Sequence, residues 1–522
     1  MAAVATVPGL GAGTLWDNSE TAYGEVAREV LLTHDWIVMH LNGAPWFVQP
    51  PLYFWIAAAL ARVLGTTAFA LRLPSALATI AMGALVGAAV ARTSSFRAGV
   101  LSAVVLSSSL MQAVVGRLAI MDALLDALVA GAIFAGYAAL RTGERRAWIG
   151  AWAAIALGIL AKGLVAPTLV VLVLAPWIVW ETIAGTRIKA PKPWVVIAGF
   201  AVGAAILLPW ILALDSRAGG FAFRELVGHY TVGRYLGTIE NQSGPVWYYV
   251  PVVILGFFPW VAFLVPAGVA ALGEAARDRG GSLVRLALVW AVVPFVFFSF
   301  AHTKLPNYIA LELPALAILV GLWFDAVVDR VDRRVALAFA ALVPVTLVLV
   351  AVAVSAFSHD NRLTPELDAL RPAFLALGGA MLAGSLACFG FLLLRRLSLL
   401  APFVLGASGI AVVLAIALVG EPIVERYKPV PKLASQIDRL RRPGDSVETV
   451  GVPGSNALVF YTRPGVISLD DAAPLRCEGS RAFIVASIRA SLPPSALVVA
   501  SAGHDVLYLM PCVGERRRMN AP

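Results

Sequence analysis

The chain has 522 residues, of which 60% are hydrophobic and only 14% charged, with a mean hydropathy of +0.84. About a quarter of the residues in a soluble globular domain carry charge, so these values exclude that class and leave a polytopic membrane protein. The net charge of +9 does not argue for a nucleic-acid partner, because the Lys and Arg residues fall in short clusters between apolar runs, as membrane topology requires.

Residues 1–15 are small and apolar, shorter than the roughly 20 residues of a spanning helix, and lack the basic start of a signal peptide. The stretch from Trp16 to Trp55 is too polar for a bilayer. It carries Asp17, Glu20, Glu25, Glu29 and Asp35, then a Trp/Phe-rich turn, then Pro50-Pro51 at the start of an amphipathic helix. It reads as the active-site loop of a membrane enzyme, within a first extracytoplasmic loop at 16–69.

Twelve apolar spans are expected after it, at about 70–91, 97–115, 119–140, 147–161, 163–183, 194–214, 246–272, 283–301, 306–326, 335–357, 372–394 and 399–420. Lys and Arg mark cytoplasmic loops. Those loops carry Arg92 and Arg97; Arg141, Arg145 and Arg146; Arg187, Lys189 and Lys192; Arg277, Arg279 and Arg285; Arg330, Arg333 and Arg334; and Arg395 and Arg396. The opening stretch, Arg117, Lys162, residues 215–245, 302–306 and 358–371 and the tail then share the outer face. The bundle is thus assigned to residues 1–420. Residues 421–522, with Pro-Gly turns, short β-rich runs and a helical LASQIDRLRR, read as a small extracytoplasmic α/β domain. Cys388 lies in a span, whereas Cys477 and Cys512 are placed to pair in an oxidising compartment.

Five stretches then carry a resemblance in consistent order. They are SETAY through QPPLYFWIAA and RLPSAL, GRLAIMDALLDA, LAKGLVAP, FRELVGHYTVGRY leading to PVWYYVPVVILGFFPW, and HTKLPNYIALELPALAIL. Nearly the whole chain resembles the ArnT-like and protein-O-mannosyltransferase-like glycosyltransferases. The resemblance implies a GT-C fold, an all-α membrane bundle of about 12–13 transmembrane helices, with the small α/β domain outside. It implies a pentosyl- or hexosyltransferase that takes sugar from a polyprenyl-phosphate donor. The acceptor would be a lipid, glycan or protein at the outer face of the plasma (inner) membrane. No cofactor is certain, and a divalent metal remains open. A transporter or flippase for lipid-linked glycans, or an inactive relative, is the alternative.

Breaking a sugar–phosphate bond needs a base for the acceptor proton and cations for the departing lipid phosphate. Asp17, Glu20 and Asp122 are the base candidates. The family's paired acids and following Tyr align with Ser19-Glu20 and Tyr23, so Ser19 stands where the catalytic Asp is usual, and Asp17 is two residues earlier. The alternative reading is that Asp17 or Ser19 caps the helix beginning near Thr21, with Glu20 in its first turn. Asp126 lies four residues beyond Asp122 on the same helical face and is expected to hold a structural hydrogen bond. Arg234, Lys304, Tyr308 and Lys162 are the phosphate candidates, against a snorkelling role for the cations. His302 is a lone proton acceptor or metal ligand. Where ArnT-like relatives read Glu-Lys-Pro-Pro-Leu, this chain has Val48-Gln49-Pro50-Pro51-Leu52. Gln49 can hydrogen-bond a phosphate without contributing charge. Trp46, Phe47, Trp247, Tyr248 and Tyr249 suit an interfacial aromatic belt.

Overall fold

The computed structural model describes the chain except residues 17–18, 239–241, 276–280, most of 328–363, 395–397, 427, 453–454, 463–464, 470–474, 477–479, 489, 491 and 513–522. Among the described residues, seven helices are long and apolar enough to cross a bilayer, or eight if one bent pair is counted as a span. This is a multi-pass membrane protein. Helices α1 (Ala2–Thr6), α2 (Ser19–Thr33), α3 (Leu52–Leu64), α4 (Ala68–Thr93), α5 (Phe96–Ser108), α6 (Leu110–Val115), α7 (Asp122–Thr142), α8 (Arg145–Lys162), α9 (Val165–Ile183) and α10 (Pro193–Ala218) build the first half. Ser/Thr caps mark the turns. Thr67 accepts from Ala70 N at 3.2 Å, Ser95 accepts from Ala98 N at 2.9 Å, and Gly143 closes α7 with φ 79°.

Two expected spans are broken. The run at 97–115 stops at Ser109, and that at 246–272 becomes Val246–Gly256 and Val261–Ala275, inclined at 112°. Pro259 lies in the second break, where it has no N–H to continue a helix. The two breaks satisfy one another, since Leu110 N donates to Phe258 O at 3.0 Å. The expected span 335–357 falls largely outside the described residues.

Polar contacts sort to the two ends of the bundle. At one end Arg285 is fully buried against Glu181 at 2.6 Å, with Arg141 at 3.7 Å from the same carboxylate. Arg285 is therefore a bundle tie and not the loop charge expected for it. At the other end lie the opening stretch, Asp122, Lys162 and the C-terminal domain.

That opening stretch is a set of staples. Glu20 takes both Arg72 Nε and Nη2 at 2.9 and 2.8 Å and also accepts from the backbone of Trp16 and Ala119. Arg72 further donates to the carbonyls of Leu10, Ala12 and Thr14. Arg117 ties the chain's first residues, donating to the carbonyls of Ala5, Thr6 and Pro8. Glu25 pairs with Arg28, and Asp35 with Arg217 at 2.6 and 2.8 Å. Glu29 accepts from Gly43 N at 2.9 Å. Asn42 and Gly43 have φ 55° and 77° and turn a minimal hairpin, β1 (His40–Leu41) to β2 (Ala44–Pro45). Asn42 also uses both ends of its amide on the backbone of Val466, at 2.6 and 3.0 Å.

The C-terminal region contains a five-stranded sheet in the order β4-β3-β5-β7-β6, from Ile467–Leu469, Ser446–Val450, Arg481–Ser487, Asp505–Pro511 and Leu497–Ala502. β4, β3 and β5 are parallel, and β7 and β6 antiparallel. The helices Pro429–Leu440 and Ser455–Tyr461 bury Leu433, Ile437 and Leu458 against Phe483 and Leu507. Tyr461 joins this domain to the bundle by accepting from Leu15 N at 2.8 Å. Cys388 is a free, buried thiol and Cys512 is disulfide-bonded. Cys477 lies outside the described residues.

The Arg72–Glu20 pair is buried on both sides, at 3% and 2% side-chain exposure. Removing one member of such a pair strands the other charge. Arg72→Met is expected to lower the unfolding free energy by about 3–5 kcal/mol. Denaturant unfolding in detergent is the check, and the Arg72→Met/Glu20→Gln double variant should recover part of the loss.

Candidate active site

One cavity gathers residues that lie far apart in the chain. It has a volume of about 480 Å³ and is walled by α7, α8, α9, the end of α10, the segment 223–236 and residues 297–311. The residues Arg224–Gly233 form a π-helix, and Leu226, Val227, Tyr230, Thr231 and then Arg234 turn toward the cavity. Thr231 Oγ1 donates to Leu226 O, five residues back, at 2.8 Å. Most of the lining is apolar, including Leu125, Ile159, Trp210, Phe223, Phe297 and Leu311.

The polar end is small. Lys162, the last residue of α8, donates to Asp122 Oδ1, in the first turn of α7, at 2.5 Å. Asn307 Nδ2 donates to the same oxygen at 2.7 Å. Lys162 Nζ lies 5.0 Å from the centre of the Tyr308 ring, and Arg234 Nη1 donates to Tyr308 Oη at 3.4 Å. Gln49, from the opening stretch, is buried and also lines this cavity. Tyr23 packs edge-on against Trp46 and Phe54 within the same electrostatic neighbourhood. Burial pushes its phenol up to about 12, Lys162 pulls it down and Asp122 pushes it back up.

The structure therefore brings together Asp122, Lys162, Arg234, Tyr308 and Gln49. Glu20 lies outside the cavity lining and is committed to Arg72. Ser19 is exposed at the start of α2, and Asp17 lies outside the described residues. Lys304 is buried beside the cavity, with its ammonium on the Ala301 carbonyl. His302 is exposed and its Nδ1 is 3.2 Å from Tyr235 O. Asp126 does not show the hydrogen bond expected of it at Oδ2, which is buried without a partner. Among the described residues no group of three or more His, Cys, Asp or Glu converges to hold a metal ion, so no step is derived through one.

Sequence reasoning passed over Asn307, although it sits in the KLPNY motif between two chosen residues. It also passed over the π-helical wall, whose spacing matches no α-helical template. Trp46 and Tyr249 leave the expected aromatic belt. Trp46 joins the Tyr23–Phe54 cluster, and Tyr249 is buried with its hydroxyl donating to Leu305 O at 3.2 Å.

Comparison with known proteins agrees with this architecture. Residues 48–212 match the family described as dolichyl-phosphate-mannose-protein mannosyltransferase. The undecaprenyl phosphate-alpha-4-amino-4-deoxy-L-arabinose arabinosyl transferase of Pectobacterium carotovorum subsp. carotovorum (strain PC1) is 31% identical over 61% of this chain and 57% of its own length. The corresponding protein of Pseudomonas aeruginosa (strain UCBPP-PA14) is 31% identical over 66% and 61%. The chain thus spans about three-fifths of the length of these curated relatives. The crystal structure of ArnT from Cupriavidus metallidurans bound to undecaprenyl phosphate has a TM-score of 0.80 at 22% identity, over 97% of this chain and 96% of that one. Archaeal oligosaccharyltransferase AglB from Archaeoglobus fulgidus, in complex with an inhibitory peptide and a dolichol-phosphate, has a TM-score of 0.54 at 11% identity, over 93% and 68%.

Beside the site, α2 carries a titration that can be measured. Burial pushes the Glu25 carboxyl up from 4.5 to about 7, a shift that Arg28 only partly opposes. The folded state then holds the extra proton between those values, so this contribution to stability is complete below about 4.5 and is lost as pH rises to about 7. Glu25→Gln cannot titrate. Its melting temperature is expected to fall less than that of the wild type between pH 5 and pH 8, as differential scanning fluorimetry in detergent would show.

Proposed function

We propose that this chain, an ArnT-like protein with the GT-C fold, is an integral membrane glycosyltransferase. It moves a pentosyl or hexosyl group from a polyprenyl-phosphate donor to a hydroxyl of a lipid, glycan or protein acceptor. The reaction takes place on the extracytoplasmic face of the plasma membrane, where the C-terminal domain also lies. One observation carries the reading: a largely apolar cavity ends in Lys162, Arg234, Tyr308 and Asp122, which suits a prenyl chain followed by a phosphate.

Lys162 and Arg234 offset the phosphate charge from two sides, and Tyr308 orients an oxygen between them. Each such charge-assisted hydrogen bond contributes about 1.5–3 kcal/mol. The acceptor oxygen attacks the anomeric carbon as the bond from that carbon to the phosphate oxygen breaks. The bonding pair leaves on the lipid phosphate, where the two cations stabilise it. Asp122 takes the acceptor proton. Both hydrogen bonds to this carboxylate use Oδ1, which leaves Oδ2 for that role. Lys162 and Asn307 hold its orientation. Glu20 and Arg72 support the site from outside by fixing α2 against α4.

The test uses purified protein in nanodiscs with polyprenyl-linked sugars extracted from its source membrane, followed by mass spectrometry. Sugar loss from the carrier is expected in the wild type and is abolished in Asp122→Asn. Lys162→Met is expected to weaken polyprenyl-phosphate binding about 10- to 100-fold. Carrier that changes leaflet with its sugar intact would replace this reading with a flippase. Absence of turnover in the wild type would leave an inactive relative.

A further inference from the structure

We infer that a second cleft, at the seam between the C-terminal domain and the bundle, binds the phosphate of an anionic membrane lipid through Arg28, Arg441 and Arg442. The cleft has a volume of about 790 Å³. It shares no lining residue with the cavity described above, so this inference stands or falls separately from the proposed sugar transfer.

The cations are the first ground. On the bundle side, Arg28 of α2 is 6% exposed. Its Nη1 donates to Phe460 O at 2.9 Å and its Nη2 to Glu25 Oε1 at 2.7 Å, while its Nε–H is buried without a partner. An incompletely satisfied guanidinium in the wall of a cleft suits an anion. On the domain side, Arg441 and Arg442 lead into a tight turn through Pro443 and Gly444, the latter with φ 89°. Asp445 closes that turn, its N–H donating to Arg442 O at 3.1 Å and its Oδ2 accepting from Arg442 N at 2.8 Å. Arg481 in turn holds Asp445 at 2.6 Å. The backbone under Arg442 is thus fixed, whereas its exposed guanidinium makes no hydrogen bond or ion pair among the described residues. Opposing the three cations are Asp438 in the cleft and Glu25 beside it, which leaves one net positive charge. A phosphodiester headgroup without an ammonium group carries one negative charge and matches it.

The second ground is the apolar surface beside those cations, which favours a lipid over free phosphate. Thr66 lines the cleft, and Val63 and Leu64, just before it in the turn from α3 to α4, are 81% and 44% exposed. Leu440, next to Arg441, is 44% exposed. Aliphatic side chains left in the open next to guanidinium groups suit the boundary between acyl chains and anionic headgroups. The cleft is therefore read as a place where a lipid ties the C-terminal domain to the bundle at the membrane surface.

The test measures binding by native mass spectrometry and by thermal shift of the delipidated full-length protein in detergent. The probes are dihexanoyl phosphatidylglycerol, dihexanoyl phosphatidylcholine and inorganic phosphate. Phosphatidylglycerol is expected to bind about tenfold more tightly than phosphatidylcholine, and inorganic phosphate at the same concentration to give no thermal shift. Arg442→Gln, a change at an exposed side chain, should weaken phosphatidylglycerol about tenfold. Arg439→Gln removes an exposed charge outside the lining, and Arg234→Gln alters the other cavity; both should bind phosphatidylglycerol as the wild type does. Unchanged binding in Arg442→Gln overturns the inference. An equal loss in Arg439→Gln would reduce the effect to general surface charge, and a loss confined to Arg234→Gln would put the lipid in the other cavity; either result overturns it. Equal stabilisation by inorganic phosphate overturns the assignment to a lipid.

Discussion

A carboxylate inside an apolar bundle must be paired, and the pairing of Asp122 with Lys162 and Asn307 is the contact around which the site is built. It joins the start of α7, the end of α8 and the turn that precedes the helix Leu313–Val327. Those three places are distant in sequence but lie at the same end of the bundle. The same contact holds a cation where an apolar chamber ends, so what satisfies the buried carboxylate also prepares a site for an anion.

Helix direction explains how the two polar groups come to lie apart. Successive helices run in opposite senses, which separates Arg141, Glu181 and Arg285 from Asp122 and Lys162 by the thickness of the bundle. The first group is closed, with Arg285 fully buried on Glu181. The second remains open to a cavity. Both contain ion pairs, and the difference lies in what surrounds them: packed side chains in one case, and a cavity walled in part by the segment 223–236 in the other.

Much of this was legible in the sequence. Apolar length and the placement of Arg and Lys located most spans, and they put Asp122, Lys162, Arg234 and Tyr308 on one face. The opening stretch was harder to read. Its acids look catalytic because carboxylates are rare elsewhere, yet Glu20, Glu25, Glu29 and Asp35 fasten the stretch to α4, to itself, to its hairpin turn and to α10. A sequence shows that an acid is present but not which cation or amide lies opposite, and Arg72 and Arg217 come from helices far along the chain. The break at Ser109 was hidden for a similar reason: Leu110 N is satisfied by Phe258 O, far along the chain, whereas Pro259 gives the second break a local sign.

The π-helical segment Arg224–Gly233 carries a consequence for how this wall can vary. Its wider turn lets Leu226, Tyr230, Thr231 and Arg234 share one side, whereas an α-helix advances each residue by about 100°. Loss of one residue there would return the segment to the α register and swing Arg234 away from Tyr308, even if every remaining side chain were kept. This wall can therefore accept many changes of side chain but few changes of length, and a gap in an alignment here would report more about the shape of the cavity than most substitutions.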